Sequence, residues 1–112
     1  MPQLENAQYL NKKHIIQLKM QSKTYKFKAT LKNALGLHAR PASIFVESAK
    51  KFKSNITIKK DGKQANAKSI IEVLSLGVEK GDEIEIICEG DDAKQASEYI
   101  KDLIENLSKL EE

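Results

Sequence analysis

The chain contains no tryptophan, a single cysteine, two prolines and five glycines among its 112 residues. A lone cysteine can form no disulfide within the chain and cannot assemble a zinc site by itself. Because Cys88 lies in an apolar, strand-like run, we interpret it as a buried hydrophobic residue. No apolar run approaches the roughly 20 residues that a membrane-spanning helix requires, so we predict no membrane insertion. The first residues lack the charged-then-apolar order of a signal peptide, which predicts a cytoplasmic protein.

Arginine is also scarce, and the charge is unevenly distributed. Of nineteen Lys and Arg residues, Arg40 is the only arginine. Residues 11–32 carry seven lysines and no acid, whereas residues 79–112 carry twelve acids and four lysines. A basic stretch suggests nucleic-acid binding, but single-stranded RNA platforms expose aromatic rings among their basic residues. Tyr25 and Phe27 instead alternate with the lysines, which predicts a solvated strand face and no nucleic-acid partner.

The apolar pattern predicts seven secondary-structure elements. Period-two alternation predicts three strands, over 24–32, 55–60 and 82–89, and the turn dipeptide Asp61-Gly62 predicts a returning strand over 63–67. Helical spacing predicts three helices: one beginning near Ala39 or Arg40, one over 69–76, and one after a cap at Asp91 or Asp92. Each element of this βαββαβα order has one apolar face. We therefore predict an α+β open-faced sandwich, a four-stranded antiparallel sheet with three helices on one face.

The predicted domain spans residues 22–112, with Asp61-Gly62 as the tight turn between the second and third strands. Residues 1–21 show no clean period, and we expect them to be an N-terminal extension of unknown role. Met20, within the extension, is a second candidate start of the chain. His14 also lies there and is expected to be a solvated surface residue.

The segment Gly36-Leu37-His38-Ala39-Arg40-Pro41 combines residue types suited to carrying a phosphoryl group. The neutral imidazole of His38 is a nucleophile at cellular pH. Pro41 is tolerated only in the first turn of a helix, so His38 is predicted at a helix N-terminus, where free N–H groups attract anions. Arg40 adds a planar donor fork for phosphoryl oxygens, and Gly36 permits a sharp bend. The alternative is that His38 caps the helix and Arg40 is a surface cation.

Other phosphate chemistry is missing from the sequence. There is no GxxxxGK[ST] loop, no carboxylate cluster for Mg²⁺ and no Ser/His/Asp set. We therefore predict a stoichiometric phosphocarrier, which is not an enzyme and which holds no cofactor and no metal.

Two runs of the sequence carry a family resemblance, NALGLHARPASIFVESAKKF and NAKSIIEVLSLGVEKGDEIEI. They resemble the histidine-containing phosphocarrier HPr of the phosphoenolpyruvate-dependent sugar phosphotransferase system, over about residues 22–108. The resemblance implies that enzyme I phosphorylates His38 on Nδ1 and that Arg40 steadies the phosphohistidine. It also implies that the phosphoryl group passes to the A domains of sugar permeases (EIIA). We expect the carrier to be a monomer.

The same resemblance implies a regulatory site at Ser69, the counterpart of the serine that HPr kinase/phosphorylase modifies in many Gram-positive relatives. Ile70, Ile71 and Leu74 would then form part of the docking surface for partners. Glu72 departs from the family, in which a small or neutral residue is common at this position. From spacing alone, Ser69 and Glu72 predict a capping box, in which each side chain accepts a hydrogen bond from the other residue's backbone N–H.

A regulatory relative on the same fold is the main alternative, such as the carrier of the nitrogen-related branch, which signals instead of feeding sugar uptake. The Asn33-x-Leu35-Gly36 lead-in occurs in that branch too. Sugar transport and signalling are both consistent with the motif, and so is a Ser69 that is never modified.

Overall fold

The computed structural model describes residues 23–110, which form a four-stranded antiparallel sheet and three helices. The elements in chain order are β1 (Thr24–Thr30), α1 (Ala39–Ala49), β2 (Asn55–Lys60), β3 (Lys63–Asn66), α2 (Ile70–Ser75), β4 (Glu83–Glu89) and α3 (Ala93–Leu110). The strands lie side by side in the order β1-β4-β2-β3. The predicted α+β open-faced sandwich is confirmed. The predicted extension, with His14 and Met20, lies outside the described residues.

Element boundaries agree with the prediction to within two residues, and the largest difference is at the end of β1. β1 ends at Thr30 because Leu31 bonds to the loop before β4: its N–H donates to the Asp82 carbonyl at 3.0 Å and its carbonyl accepts from Gly81 N–H at 2.7 Å. The β2–β3 turn forms at Asp61-Gly62 as predicted. Both residues have positive φ, 50° and 79°, which a two-residue turn of this kind requires.

Alternation along the central strand β4 separates the buried face of the sheet from the open face. Ile84, Ile86 and Cys88 are fully buried beneath the helices, together with Ile56 and Ile58 of β2. α1 and α3 cover them with residues at helical spacing: Ala42, Phe45, Val46, Ala49, Ala93, Ala96, Ile100, Leu103, Ile104 and Leu107. Among residues 23–110, no helix has the length and hydrophobicity needed to cross a membrane.

Two residues have a solvent exposure that alternation alone does not predict. Tyr25, predicted on the buried face, is 37% exposed, because β1 is an edge strand and Tyr25 is close to its end. Ile87 points to the open face and is nevertheless buried, between Lys26 of β1 and Thr57 of β2 in the strand register. The open face is therefore solvated over most of its area but not over all of it.

The lysines of β1 lie on this open face, and one of them, Lys28, lies opposite an acidic residue. Lys28 of β1 and Lys59 of β2 both lie opposite Glu85 of the central strand. Opposite charges in such cross-strand positions stabilise a sheet by about 0.2–1 kcal/mol each. These pairs place basic residues of β1 and β2 beside an acidic residue of β4, as expected for a solvated sheet face.

The connection from β1 to α1 packs tightly against the loop between α2 and β4. A Cβ atom added at Gly36 would lie 2.4 Å from the Val78 carbonyl oxygen and 2.6 Å from the Glu79 Cα. Gly36 also has a φ of 56°, in the left-handed region that disfavours side chains. Leu37 N–H donates to the Val78 carbonyl at 2.9 Å. The two loops can therefore approach this closely only with glycine at position 36.

We expect Gly36→Ala to lower the free energy of unfolding by about 2–5 kcal/mol, because positive φ and a backbone clash add together. Gly77→Ala is the matched control, since Gly77 also has positive φ (62°) but has open space where a Cβ would lie. The control should lose only about 1–2 kcal/mol from its backbone conformation. Urea unfolding of both variants makes the measurement, and equal losses would contradict the importance of the close approach.

Candidate functional site

His38 lies at the start of α1, as the position of Pro41 predicted. It is the N-cap residue, with extended backbone angles (φ −104°, ψ 162°), and its carbonyl accepts a hydrogen bond from Ala42 N–H at 3.1 Å. Its imidazole makes no capping hydrogen bond, and the side chain is 50% exposed. His38 is therefore the cap residue by position, as the alternative also predicted, but its side chain takes no part in capping. The ring is accessible to a partner protein.

Arg40 lies in the first turn of the same helix, and its side chain is exposed. No acidic residue lies in this turn to offset the positive end of the helix dipole. The backbone N–H groups of a first turn have no partner within the helix and favour anions. Ala39, between His38 and Arg40, has a φ of 31°, which is uncommon for a residue with a side chain. The structure thus brings His38 and Arg40 together at one anion-favouring helix end.

The loop before His38 is held by a buried side chain. Asn33 is 1% exposed, and its Nδ2 donates to the Gly36 carbonyl at 2.8 Å. Gly36 N–H in turn donates to the Asn33 carbonyl at 3.3 Å. This local ring of hydrogen bonds fixes the bend that leads into α1. Asn33 was noted in the sequence only as part of a lead-in, and its buried position gives it a structural role.

The opposing loop, between α2 and β4, is fixed by Lys60 at the end of β2. Lys60 Nζ donates to the Gly77 carbonyl at 2.9 Å and lies 2.8 Å from Asp82 Oδ2. The same Asp82 oxygen accepts from Glu79 N–H at 2.8 Å. The hydrogen bond from Lys60, followed by that from the Glu79 backbone, lowers the pKa of Asp82 below its ordinary value, and the bond to Asp82 raises the pKa of Lys60.

Glu79 is a residue of the site that the sequence analysis missed. Its Oε1 lies 3.7 Å from Nε2 of His38, with side chains that are 72% and 50% exposed. Ala34, Leu35 and Lys80 line the same shallow cleft. Glu79 is far from His38 in the sequence, and no spacing rule connects the two. The close approach of two loops brings them together, and Gly36 was the one sequence signal that pointed to it.

Ser69 begins α2, but the predicted capping box forms only in part. Ser69 is the N-cap residue, and its Oγ accepts from Glu72 N–H at 3.4 Å. The prediction of the reciprocal bond is wrong. Glu72 Oε1 accepts from Asn66 N–H at 3.1 Å, while Ser69 N–H donates to the Asn66 carbonyl at 3.0 Å. Because the Ser69 N–H is bonded to the Asn66 carbonyl, the Glu72 carboxylate accepts from the Asn66 N–H instead.

The apolar residues beside Ser69 are largely exposed. Ile71 is 77% exposed, and Leu74 and Ile70 are 43% and 38% exposed. Val73 points inward and is fully buried. Leu35, at the bend before His38, is 49% exposed. A short helix that leaves three large apolar side chains in solvent presents a surface suited to protein contact.

Cys88 is fully buried beneath the helices. Burial, with a smaller contribution from the charge of Asp92, raises the pKa of the Cys88 thiol to about 11. Within residues 23–110, no group of three or more His, Cys, Asp or Glu side chains is arranged to hold a metal ion. Cys88 is a buried hydrophobic residue, as interpreted from the sequence.

Comparison with known proteins identifies the family. The family model described as "PTS HPr component phosphorylation site" matches residues 25–106. The chain belongs to the HPr family. It is 49% identical over 76 residues to the phosphocarrier protein HPr of Mycoplasma capricolum, covering 68% of this chain and 85% of that protein. It is 46% identical over 65 residues to the HPr-like protein Crh of Bacillus subtilis, covering 58% and 76%.

Solved structures of the family share the fold. A crystal structure of HPr from Thermoanaerobacter tengcongensis superposes with a TM-score of 0.73 at 45% identity, and the match covers 75% of this chain and 94% of that one. The open-faced sandwich with helices on one face is therefore an HPr fold, and the chain is a member of a phosphocarrier family of the phosphotransferase system.

The Lys60–Asp82 contact predicts an acid-dependent loss of stability. Because the folded-state pKa of Asp82 lies below its ordinary value of 3.8, the carboxylate stabilises the fold above that pH and ceases to do so as pH falls through the lower, folded-state pKa. We expect the free energy of unfolding to fall more steeply between about pH 4 and pH 2 in the wild type than in Asp82→Asn.

Urea unfolding across this pH range measures both slopes. Glu98→Gln, which alters an exposed carboxylate on α3, is the control and should retain the wild-type slope. An unchanged slope in Asp82→Asn would show that Lys60 does not hold this carboxylate in its charged form.

Proposed function

We propose that the chain accepts a phosphoryl group on His38 from enzyme I and passes it to the EIIA domains of sugar permeases. The observation that carries this proposal is the half-exposed imidazole at the helix start, which makes no capping hydrogen bond to the backbone of the first turn. Membership of the HPr family gives the donor and acceptor classes. The chain acts as a stoichiometric carrier and not as an enzyme.

Transfer at His38 requires one nitrogen with a free lone pair. The Nδ1 lone pair of the neutral ring attacks phosphorus, and the bond between phosphorus and the donor breaks with its electron pair remaining on the donor. The phosphoryl oxygens then lie near the start of α1, where the dipole and free N–H groups stabilise negative charge. Because the site is open and half exposed, this stabilisation is moderate, which suits a group that must leave again.

Arg40 is proposed to steady the phosphohistidine. Its guanidinium is always charged and offers a planar set of donors that matches phosphoryl oxygens. Arg40 lies in the first turn of α1, two residues after His38, so its donors belong to the same helix end as the phosphorylated ring. Its exposure allows it to turn toward either the phosphoryl group or an acidic partner side chain.

The exposed apolar residues of α2 are proposed as the docking surface for enzyme I and EIIA. Ile70, Ile71 and Leu74 give a patch whose centre, Ile71, is the most exposed. α2 packs against α1, and the loop after α2 carries Glu79 to His38, so the patch belongs to the elements that form the site. Burial of such side chains in a transient complex supplies affinity without a large permanent interface.

The proposal concerns the domain over residues 22–112, acting as a cytoplasmic monomer. Lysines on the exposed edge strand β1 disfavour pairing with a second chain, which supports the monomer. Residues 1–21 are proposed to be an extension that takes no part in transfer.

A regulatory role is the second candidate, because the chain is nearly as similar to the HPr-like protein Crh of Bacillus subtilis as to the HPr of Mycoplasma capricolum. The nitrogen-related branch is a further regulatory setting. Rapid acceptance from a sugar-type enzyme I and onward transfer to EIIA would favour the carrier. Acceptance only from a nitrogen-type enzyme I would favour the regulatory role.

We expect His38→Ala to abolish the acid-labile phosphate that wild type gains from phosphoenolpyruvate and enzyme I. The variant should keep its melting temperature, because the imidazole makes no capping hydrogen bond. His14→Ala is the control and should accept phosphate as wild type does. Acid-labile phosphate that persists on a folded His38→Ala protein would refute the assignment.

We also propose that Ser69 can be modified by HPr kinase/phosphorylase, but slowly. A phosphate on Ser69 gains from the helix start, yet it brings nearly two negative charges close to Glu72, whose carboxylate lies beside the same helix end on Asn66 N–H. We expect Glu72→Gln to raise the rate of phosphate incorporation about two- to five-fold, the size expected for a screened contact between like charges.

Glu105→Gln, on the exposed side of α3, is the matched control for loss of one negative charge and should be modified at the wild-type rate. The measurement is the initial rate of incorporation by a Gram-positive HPr kinase. A wild-type rate equal to that of Glu72→Gln would show that Glu72 does not oppose modification.

A further inference from the structure

The most informative contact outside the motif is the one between Glu79 and His38. Glu79 Oε1 lies 3.7 Å from Nε2 of the imidazole, slightly beyond hydrogen-bond distance and within the range of an ion pair. Burial does not bring the two side chains together, since both are at least half exposed to solvent. The carboxylate faces one ring nitrogen, and the other is left for chemistry.

The backbone beneath Glu79 is fixed relative to His38. Glu79 N–H donates to Asp82, which Lys60 holds, and the preceding residue, Val78, accepts from Leu37 N–H next to His38. Gly36 allows the two backbones to touch. The Glu79 carboxylate can therefore move away from His38 only by rotation of its own side chain. A small rotation would shorten the 3.7 Å distance to that of a hydrogen bond.

We propose that Glu79 is a positioning residue for phosphoryl transfer, which accepts the Nε2–H of His38 and keeps the Nδ1 lone pair free. This inference rests on the proposed function. In the neutral ring one nitrogen carries the proton and the other is nucleophilic, and a carboxylate beside Nε2 favours the proton there. When Nδ1 bonds to phosphorus, the ring keeps its Nε2 proton and gains positive charge, which the Glu79 carboxylate stabilises.

The charges around the ring support this direction of effect. Arg40 lies on the helix side and Lys80 borders the same cleft as Glu79, so Glu79 supplies the negative charge in a basic setting. The phosphoryl group is also negative and is repelled by Glu79. It is bound to the opposite nitrogen, next to the helix start, and water screens the longer contact more than the shorter one.

The test combines a rate with a spectroscopic signature. We expect Glu79→Gln to slow phosphoryl acceptance from enzyme I about two- to five-fold at low salt, as for loss of an exposed ion pair, and the difference to shrink in about 1 M salt. In ¹⁵N NMR of the unphosphorylated protein, the neutral His38 ring should carry its proton on Nε2 in a larger fraction of wild type than of Glu79→Ala. A purely structural role for Glu79 would not shift that fraction.

Glu98→Gln is the matched control, because Glu98 lies away from His38. Its neighbour Tyr99 contacts Lys51 and Phe52, which follow the C-terminal end of α1, whereas His38 lies at the N-terminal end. It should change neither the rate nor the ring proton. If wild type accepts phosphate on His38 but Glu79→Gln matches it at low salt and Glu79→Ala leaves the ring proton unchanged, the inference is overturned while the carrier function stands. If wild type accepts no phosphate at all, the proposed function fails first.

Discussion

The contact between two backbones at Gly36 is the constraint on which the site depends. The loop before α1 and the loop before β4 approach so closely that a Cβ atom on Gly36 would lie 2.6 Å from the Glu79 Cα. Leu37 N–H bonds across this contact to the Val78 carbonyl. His38 follows directly on one side of the contact, and Glu79 lies on the other. This contact holds the backbone of Glu79 next to His38, while the imidazole of His38 stays exposed to solvent.

A phosphocarrier has to combine accessibility with order, and the polar network behind the site supplies the order. Asn33 holds the first loop from within, and Lys60 with Asp82 holds the second from the sheet side. The proposed reacting face consists of exposed groups: His38, Arg40 and the apolar residues of α2. The arrangement is suited to brief possession of the group and to contact with several partner proteins.

Local sequence rules predicted the elements well and failed where tertiary contacts decide. Alternation located three strands, Asp61-Gly62 located the turn and the returning strand β3, and Pro41 located the start of α1 next to His38. The second half of the capping box failed because Asn66, six positions before Glu72, offered the Glu72 carboxylate an N–H that spacing alone does not reveal. Ile87 and Glu79 were missed for the same physical reason. Their surroundings come from other strands and loops, and a linear pattern holds no information about them.

The proposed carrier function depends on one atom, Nδ1 of His38, to which the phosphoryl group would be bound. The most direct measurement is phosphorus–nitrogen correlated NMR of the protein after incubation with phosphoenolpyruvate and enzyme I, with the histidine rings labelled with ¹⁵N. We expect a single phosphorus–nitrogen bond, to Nδ1 of His38, with the proton of the ring on Nε2. A bond to Nε2, or phosphate on His14 or on any other side chain, would contradict it.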